Sequence, residues 1–295
     1  MSERQLGPII GATLLHNDLD SVINAYKNTL GFTLVSKAKV TKELAELWNT
    51  PNLIGNVMAV LSAANGDSWL RVIEDPAAIP VTPLKTCGWM ALEINVGSVD
   101  SIRERFIDDN FSIIGEPAYL QVSDAIKAMQ VIGPAGEVSY LTQVDNDVPP
   151  FELPMTTAET GSLFIPVLCT SDRAKSLAFY QALNNADTGL VFDTKVTVLN
   201  NAWGLDIDHQ FPVATLQLDG KCLFEIDQVE SAKPVQDNNG SLPSGVAMIT
   251  CCVKNINTVA EKFNVNIHHI NDNYYPKPSV ILLKGPAGEL IELVG

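Results

Sequence analysis

The sequence predicts an α+β fold: four units of one strand, one helix and about three further strands, giving two domains with open, cupped mixed sheets. Three observations predict it. "GPAGEVSYLTQV" at 133–144 returns as "GPAGELIELVG" at 285–295. Asp18 and Asp172 each precede a helical tyrosine, Tyr26 and Tyr180, by eight residues, and both pairs are 154 apart. "GWMALEINVGSVDSIRERF" and "GVAMITCCVKNINTVAEKF" match at an offset of 157. Self-similarity at a fixed offset is the mark of a copied supersecondary unit.

The elements follow in chain order as units A to D. Unit A opens with a strand that ends at His16, and Asp18 is placed to cap the helix that comes next. Val22, Ile23, Tyr26 and Leu30 make its apolar face, and Gly31 is the residue able to turn left-handed behind it. An insertion, "ELAELWNTPNLIG", carries Trp48. "SWLRVIED" then alternates as a strand, with Trp69 and Arg71 on one face. Unit B has an apolar strand, a cap at Ser98, a helix face of Val99, Ile102 and Phe106, and two strands separated by the GPAGE turn. The polar, proline-bearing "DNDVPPFELPMTTAETG" reads as a linker, so the predicted domains are residues 1–145 and 161–295 with 146–160 between them. Unit C repeats A, with Leu177, Tyr180 and Leu183 as its helix face and Trp203 as the counterpart of Trp48. Unit D repeats B, with a cap at Asn255 and a face of Ile256, Val259 and Phe263.

Composition narrows the setting. With 46% apolar and 18% charged residues over 295 positions, the chain has material for one large or two ordinary cores. A formal charge of −15 without a basic run excludes nucleic acid and anionic lipid as partners. No apolar run approaches the roughly 20 residues of a membrane span, and no long apolar leader is present, so the expectation is a cytoplasmic protein, monomer or homodimer. Five cysteines without CxxC or histidine-paired spacing read as buried thiols.

The D-x-x-x-S-x-x-x-Y pattern followed by "LGF", the strand-helix-strands units and the closing "GPAGELIEL" resemble the vicinal oxygen chelate superfamily, the glyoxalase, bleomycin-resistance and extradiol dioxygenase group. The resemblance covers nearly the whole chain. It implies four βαβββ units forming two glyoxalase-like domains, each with two units around a cup. It also implies lyase, isomerase or dioxygenase chemistry on a divalent metal held by a side chain from the first strand of each unit and a glutamate from the last. Carried over position by position, the first-strand sites fall on Gly11, Trp89, Ile165 and Met248. The closing-strand sites fall on Leu70 or Arg71, Tyr140, Glu225 and Glu292. None of the first-strand residues is a ligand for a hard divalent ion.

Two function classes stand on these positions. In the first, the protein has no cofactor and binds a small apolar or aromatic metabolite in an N-terminal cup. Gly11 opens volume there, Trp89 and Tyr140 wall it, Arg71 anchors an acidic or carbonyl group unless it pairs with Glu93 or Glu74, Trp48 closes over the mouth, and Met248 lines the equivalent site. In the second, Glu225 and Glu292 share the C-terminal cup as an acid-base pair or as the two carboxylates of a divalent metal site, completed by His209, His268 or His269.

Overall fold

The structure is a computed structural model that describes residues 3–107, 110–120, 123–186, 189–236 and 238–295. Unit A comprises β1 (Leu6–His16), α1 (Leu19–Leu30), β2 (Thr33–Lys39), α2 (Lys42–Trp48), β3 (Val57–Ser62) and β4 (Leu70–Glu74). Unit B comprises β5 (Gly88–Val96), α3 (Val99–Arg103), β6 (Ser112–Leu120), β7 (Ser123–Ile132) and β8 (Val138–Val144). Unit C comprises β9 (Thr160–Thr170), α4 (Arg173–Asn184), β10 (Leu190–Thr194), α5 (Thr197–Trp203), β11 (Phe211–Gln217) and β12 (Leu223–Gln228). Unit D comprises β13 (Gly245–Val253), α6 (Ile256–Phe263), β14 (His268–His269), β15 (Ser279–Lys284) and β16 (Leu290–Val294).

Local chemistry sets the helix starts. The side chains of Asp18, Ser98, Asp172 and Asn255 each accept a hydrogen bond from the backbone N–H three residues on, at 3.0–3.2 Å. Gly31 ends α1 at φ 71°, and Asn185 and Asn264 end α4 and α6 in the same left-handed region. Helix α3 is shorter than its apolar spacing suggests, because residues 104–107 leave the helix as turns.

The copied GPAGE turn has a structural explanation. Its last residue folds its carboxylate over the first glycine, where any side chain would collide with it, and the second glycine takes positive φ, 77° at Gly136 and 89° at Gly288. The glutamate then accepts the hydroxyl of a helical tyrosine from the preceding unit. Tyr26 donates to Glu137 Oε1 at 3.0 Å and Tyr180 to Glu289 Oε1 at 2.8 Å. The tyrosine and the turn are therefore copied together.

The sheets are made differently. One runs β14-β15-β16-β13-β1-β4-β3-β2 and the other β10-β11-β12-β9-β5-β8-β7-β6. First strands pair antiparallel, β1 with β13 and β5 with β9, so unit A shares a sheet with D and unit B with C. This corrects the expectation that each half of the chain closes its own cup. Consecutive units meet through the Tyr–Glu contact instead. The pairing gives each first strand a neighbour on both sides and buries all nine residues of β5 and eight of the nine in β13.

Candidate functional site

The A–D cup is full. Arg71 and Glu292, 1% and 0% exposed, form an ion pair at 2.8 Å. Arg71 Nε donates to Thr13 Oγ1 at 2.9 Å, Nη1 to Tyr275 Oη at 2.8 Å, and Nη2 reaches Met248 Sδ at 3.7 Å. Trp48 Nε1, Tyr275 Oη and Thr250 Oγ1 all donate to the Glu292 carboxylate. The guanidinium also lies 4.7 Å from the Trp48 ring centroid and 4.4 Å from that of Tyr274. Every charge in this group is paired and hydrogen-bonded, which is the condition for burying it. Around the group, α2 supplies Leu44, Ala45, Leu47 and Trp48 to an apolar cluster with Leu15, Ile73, Val280 and Val294.

The B–C cup, built on the same plan, is not satisfied. Register places Glu93 level with Tyr140 and Ile165, and Glu225 level with Val167, so these side chains share one face with Asp227, two residues beyond Glu225. Glu93 is buried and accepts the Thr142 hydroxyl at 2.7 Å. Asp227 is fully buried, and among the described residues neither of its oxygens has a partner, nor does the buried Tyr140 hydroxyl. Burial, reinforced by Glu225, pushes Glu93 up to about 8. Burial likewise raises Glu225, and burial with Glu225 raises Asp227 well above the carboxylate range. Burial raises the Tyr140 phenol, with Asp227, Glu225 and Glu93 adding to it. Protonation is the response of a carboxyl left in an apolar site without a counter-charge. Helix α5, the counterpart of α2, contacts β6, the edge strand of this sheet.

Most positions singled out in the sequence are thus redistributed. Gly11, Arg71, Trp48 and Met248 line one cup but no ligand cavity, since the space a side chain at Gly11 would take is filled by the Tyr274 hydroxyl. Arg71, not Leu70, faces the cup, and its partner is Glu292, not Glu93 or Glu74. Tyr140 stands in the other cup. Trp89 stands in neither: a register shift between Trp89 and Ala91 turns its ring toward Tyr180 and Phe224, and Nε1 donates to Leu290 O at 2.7 Å. The first-strand position of unit B is Ala91, level with Val167. Glu225 and Glu292, expected to share a cup, are separated into different ones. His209 lies exposed on the loop after α5, and His268 and His269 form the edge strand β14.

Glu93 and Asp227 were not foreseen as site residues, nor were Thr13, Thr250, Tyr274 and Tyr275. The available signal was acid at period two inside an apolar strand, one in "ALEIN" and two in "LFEID". The tyrosines come from the loop "NDNYYPKP", whose path no periodicity reveals. The residues present do not fit the divalent metal that the resemblance implies. In the A–D cup a guanidinium occupies the cation's place on Glu292. In the B–C cup Ala91 and Ile165 offer no donor, and among the described residues no three His, Cys, Asp or Glu side chains gather closely enough to hold an ion.

Comparison with solved structures places this geometry. Glyoxalase I from Zea mays superposes with a TM-score of 0.62 at 16% identity, covering 97% of this chain and 91% of its own. A candidate dioxygenase from Bacillus subtilis gives 0.64 at 10% identity, covering 99% and 86%. The cppA protein from Streptococcus pneumoniae gives 0.51 at 12%, covering 98% and 99%. No protein-family model and no curated protein matches the chain. At such identities the likeness establishes the fold alone: the chain shares the tandem βαβββ architecture of these structures.

Proposed function

We propose that the protein binds a small uncharged or basic organic molecule in the B–C cup and exchanges a proton with it through Glu93 or Glu225. The observation that carries this reading is the contrast between the cups. In one, the Arg71–Glu292 network satisfies every charge and fills the space. In the other, the Asp227 carboxyl and Tyr140 hydroxyl are buried without partners among the described residues, beside two further carboxyls. Unsatisfied buried polar groups cost on the order of 1–3 kcal/mol each, so their clustering at one place points to a ligand that completes them.

The charge of the cup selects the ligand. Carboxyls that are protonated near neutral pH donate to carbonyl or ether oxygens, and when ionised they accept from amines, amides and phenols; carboxylate or phosphate ligands are repelled. Ala91, Ile165 and Val167 on the same face favour a flat, largely apolar body. An acid held near pH 7–8 is also suited to general acid-base work, because it is populated in both protonation states at neutral pH.

The test combines thermal-shift screening of aromatic amines, amides and phenols with metal analysis of natively purified protein. A compound that raises Tm in the wild type, but not in Tyr140→Phe or Glu225→Gln, supports the reading. Stoichiometric iron, manganese, nickel or zinc in the native protein, lost in Glu225→Gln, would replace it with a metal-dependent one.

A further inference from the structure

The two cups are built on one register, so their residues correspond one to one. Thr13 stands level with Arg71 across β1 and β4 as Val167 does with Glu225 across β9 and β12. Thr250 stands level with Glu292 across β13 and β16 as Glu93 does with Tyr140 across β5 and β8. Glu225 therefore holds the Arg71 position, Tyr140 the Glu292 position and Glu93 the Thr250 position. Asp227 holds the position of Ile73, level with Cys169 as Ile73 is with Leu15. The charge is inverted. Where the A–D cup pairs one guanidinium with one carboxylate, the B–C cup has the carboxyls of Glu93, Glu225 and Asp227. On β10, β11, β12, β9, β5, β8 and β7, the described residues level with these three include no lysine, arginine or histidine.

The A–D cup shows what such a frame holds. Its guanidinium is flat, donates to Glu292 at 2.8 Å, and lies over the Trp48 and Tyr274 rings. In the B–C cup the chain supplies none of that filling. A glutamate side chain ends at its carboxyl, so the Cζ and Nη atoms of Arg71 have no counterpart at Glu225. Trp203, the counterpart of Trp48, donates to Leu84 O at 3.0 Å instead of to a cup residue. Strand β6 ends at Leu120 and β7 begins at Ser123, which leaves no length for a loop like the one that carries Tyr274 and Tyr275 between β14 and β15. The rim changes as well. Leu190 and Phe192, on the face of Glu225 and Asp227, are 43% and 38% exposed, where the A–D cup has Ser36 and Ala38 in the equivalent places. Asp227, fully buried and with both oxygens unpartnered among the described residues, faces this space.

We infer that the B–C cup takes a planar guanidine- or amidine-type base with an apolar body, held as its cation in the space that the Arg71 head fills in the A–D cup. The inference rests on the reading that this cup is the ligand site, and it narrows the ligand. A planar N–C–N head directs two parallel N–H donors at one carboxylate, which suits the two oxygens of Asp227, and its remaining donors serve Glu225, Glu93 or the Tyr140 oxygen. Among the described residues the acids are not gathered closely enough to hold a metal ion, a spacing that fits a wider cation with several donors. A base that enters neutral takes one proton from a carboxyl of the set. The O–H bond breaks, an N–H bond forms on the imine nitrogen, and the carboxylate left behind accepts from that N–H, so charge is conserved and no co-reactant is consumed. Leu190 and Phe192 then cover the apolar body.

The probe is 2-aminobenzimidazole, a flat aryl-fused guanidine, titrated calorimetrically into the intact protein beside two controls. Benzimidazolinone has the same shape with a carbonyl in place of the amine and forms no guanidinium, and benzyltrimethylammonium is a cation without N–H donors. Saturable binding of the guanidine, roughly tenfold or more tighter than that of either control, is expected, since charge-assisted paired bonds form with it alone. The bound ligand should show the ultraviolet spectrum that it has in acid. Glu225→Arg, which places a guanidinium of the chain itself in the cup, should abolish that binding and raise Tm, and Asp227→Asn should weaken the binding roughly tenfold. The wild-type comparison decides even if a variant fails to fold. Equally tight binding of benzyltrimethylammonium would reveal bulk attraction to an acidic protein and overturn the inference, as would a bound spectrum of the neutral base or unchanged binding by Glu225→Arg. If benzimidazolinone binds as tightly and loses its site in Glu225→Gln, the cup remains the ligand site and only the guanidine assignment falls. If neither compound binds, the assignment falls, and the cup reading falls with it only when the wider screen of amines, amides and phenols also fails.

Discussion

A single pair of residues decides which cup is closed. Arg71→Met leaves the Glu292 carboxylate buried with its hydrogen bonds but without its counter-charge, and should cost about 3–5 kcal/mol in urea unfolding. Adding Glu292→Leu should recover most of that loss, since an apolar pair of similar volume often replaces a buried ion pair at no cost. Failure of the second substitution to rescue would show that the group is held by shape and not by charge. In the other cup the sign is reversed. Glu93 has its folded value raised to about 8, above the unfolded glutamate reference of about 4.3, so the native state binds the extra proton between those limits. Its contribution is therefore fully present below about pH 4.3 and lost as pH rises through about 8. Glu93→Gln should flatten the fall in Tm between pH 6 and pH 9, and an unchanged pH slope would mean that Glu93 is solvated. Arg71 and Glu292 were legible as cup-facing positions, but their meeting was not, because 221 residues separate them and only the pairing of units brings them together.

The caps, the helix faces apart from Phe106, the paired insertions and the GPAGE turn before the last strand of units B and D were legible, because each is fixed within about ten residues by backbone needs that side chains advertise. What escaped was a single extra residue in β5. Strict alternation carries Trp89 to the cup face, and the shift beside Ala91 sends it to the opposite layer, a bulge that no side-chain pattern announces. The Tyr–Glu contacts gain a prediction here. Tyr180→Phe removes the hydroxyl that Glu289 Oε1 accepts, and Tyr26→Phe does the same to Glu137, so each should cost about 1–3 kcal/mol by stranding a buried acceptor. Chemical denaturation of both variants measures this. Loss of less than a few tenths of a kcal/mol in both would mean that the turns hold their glutamates unaided.

The pairing of units is a property of the whole molecule, and it makes the two halves of the chain interdependent. Strand β8 ends at Val144 and β9 begins at Thr160, so a cut near residue 150 passes through no strand or helix. Nevertheless each fragment would then hold two four-stranded half-sheets, with β1 and β5 bare in one and β9 and β13 bare in the other. Strand β5 is buried along all its nine residues, and an exposed apolar edge of that kind recruits another chain. Residues 1–150 expressed alone should accordingly be insoluble or oligomeric. Coexpressed with 151–295, they should copurify as a soluble one-to-one complex that unfolds in one transition, because the missing partners of β1 and β5 are restored. The sequence could not distinguish this arrangement from closure within each half, since copied units carry copied first strands that could pair either way. A soluble monomeric 1–150 fragment with a cooperative transition would show that β1 and β5 close on each other when free, and that the linker selects the exchanged pairing in the intact chain.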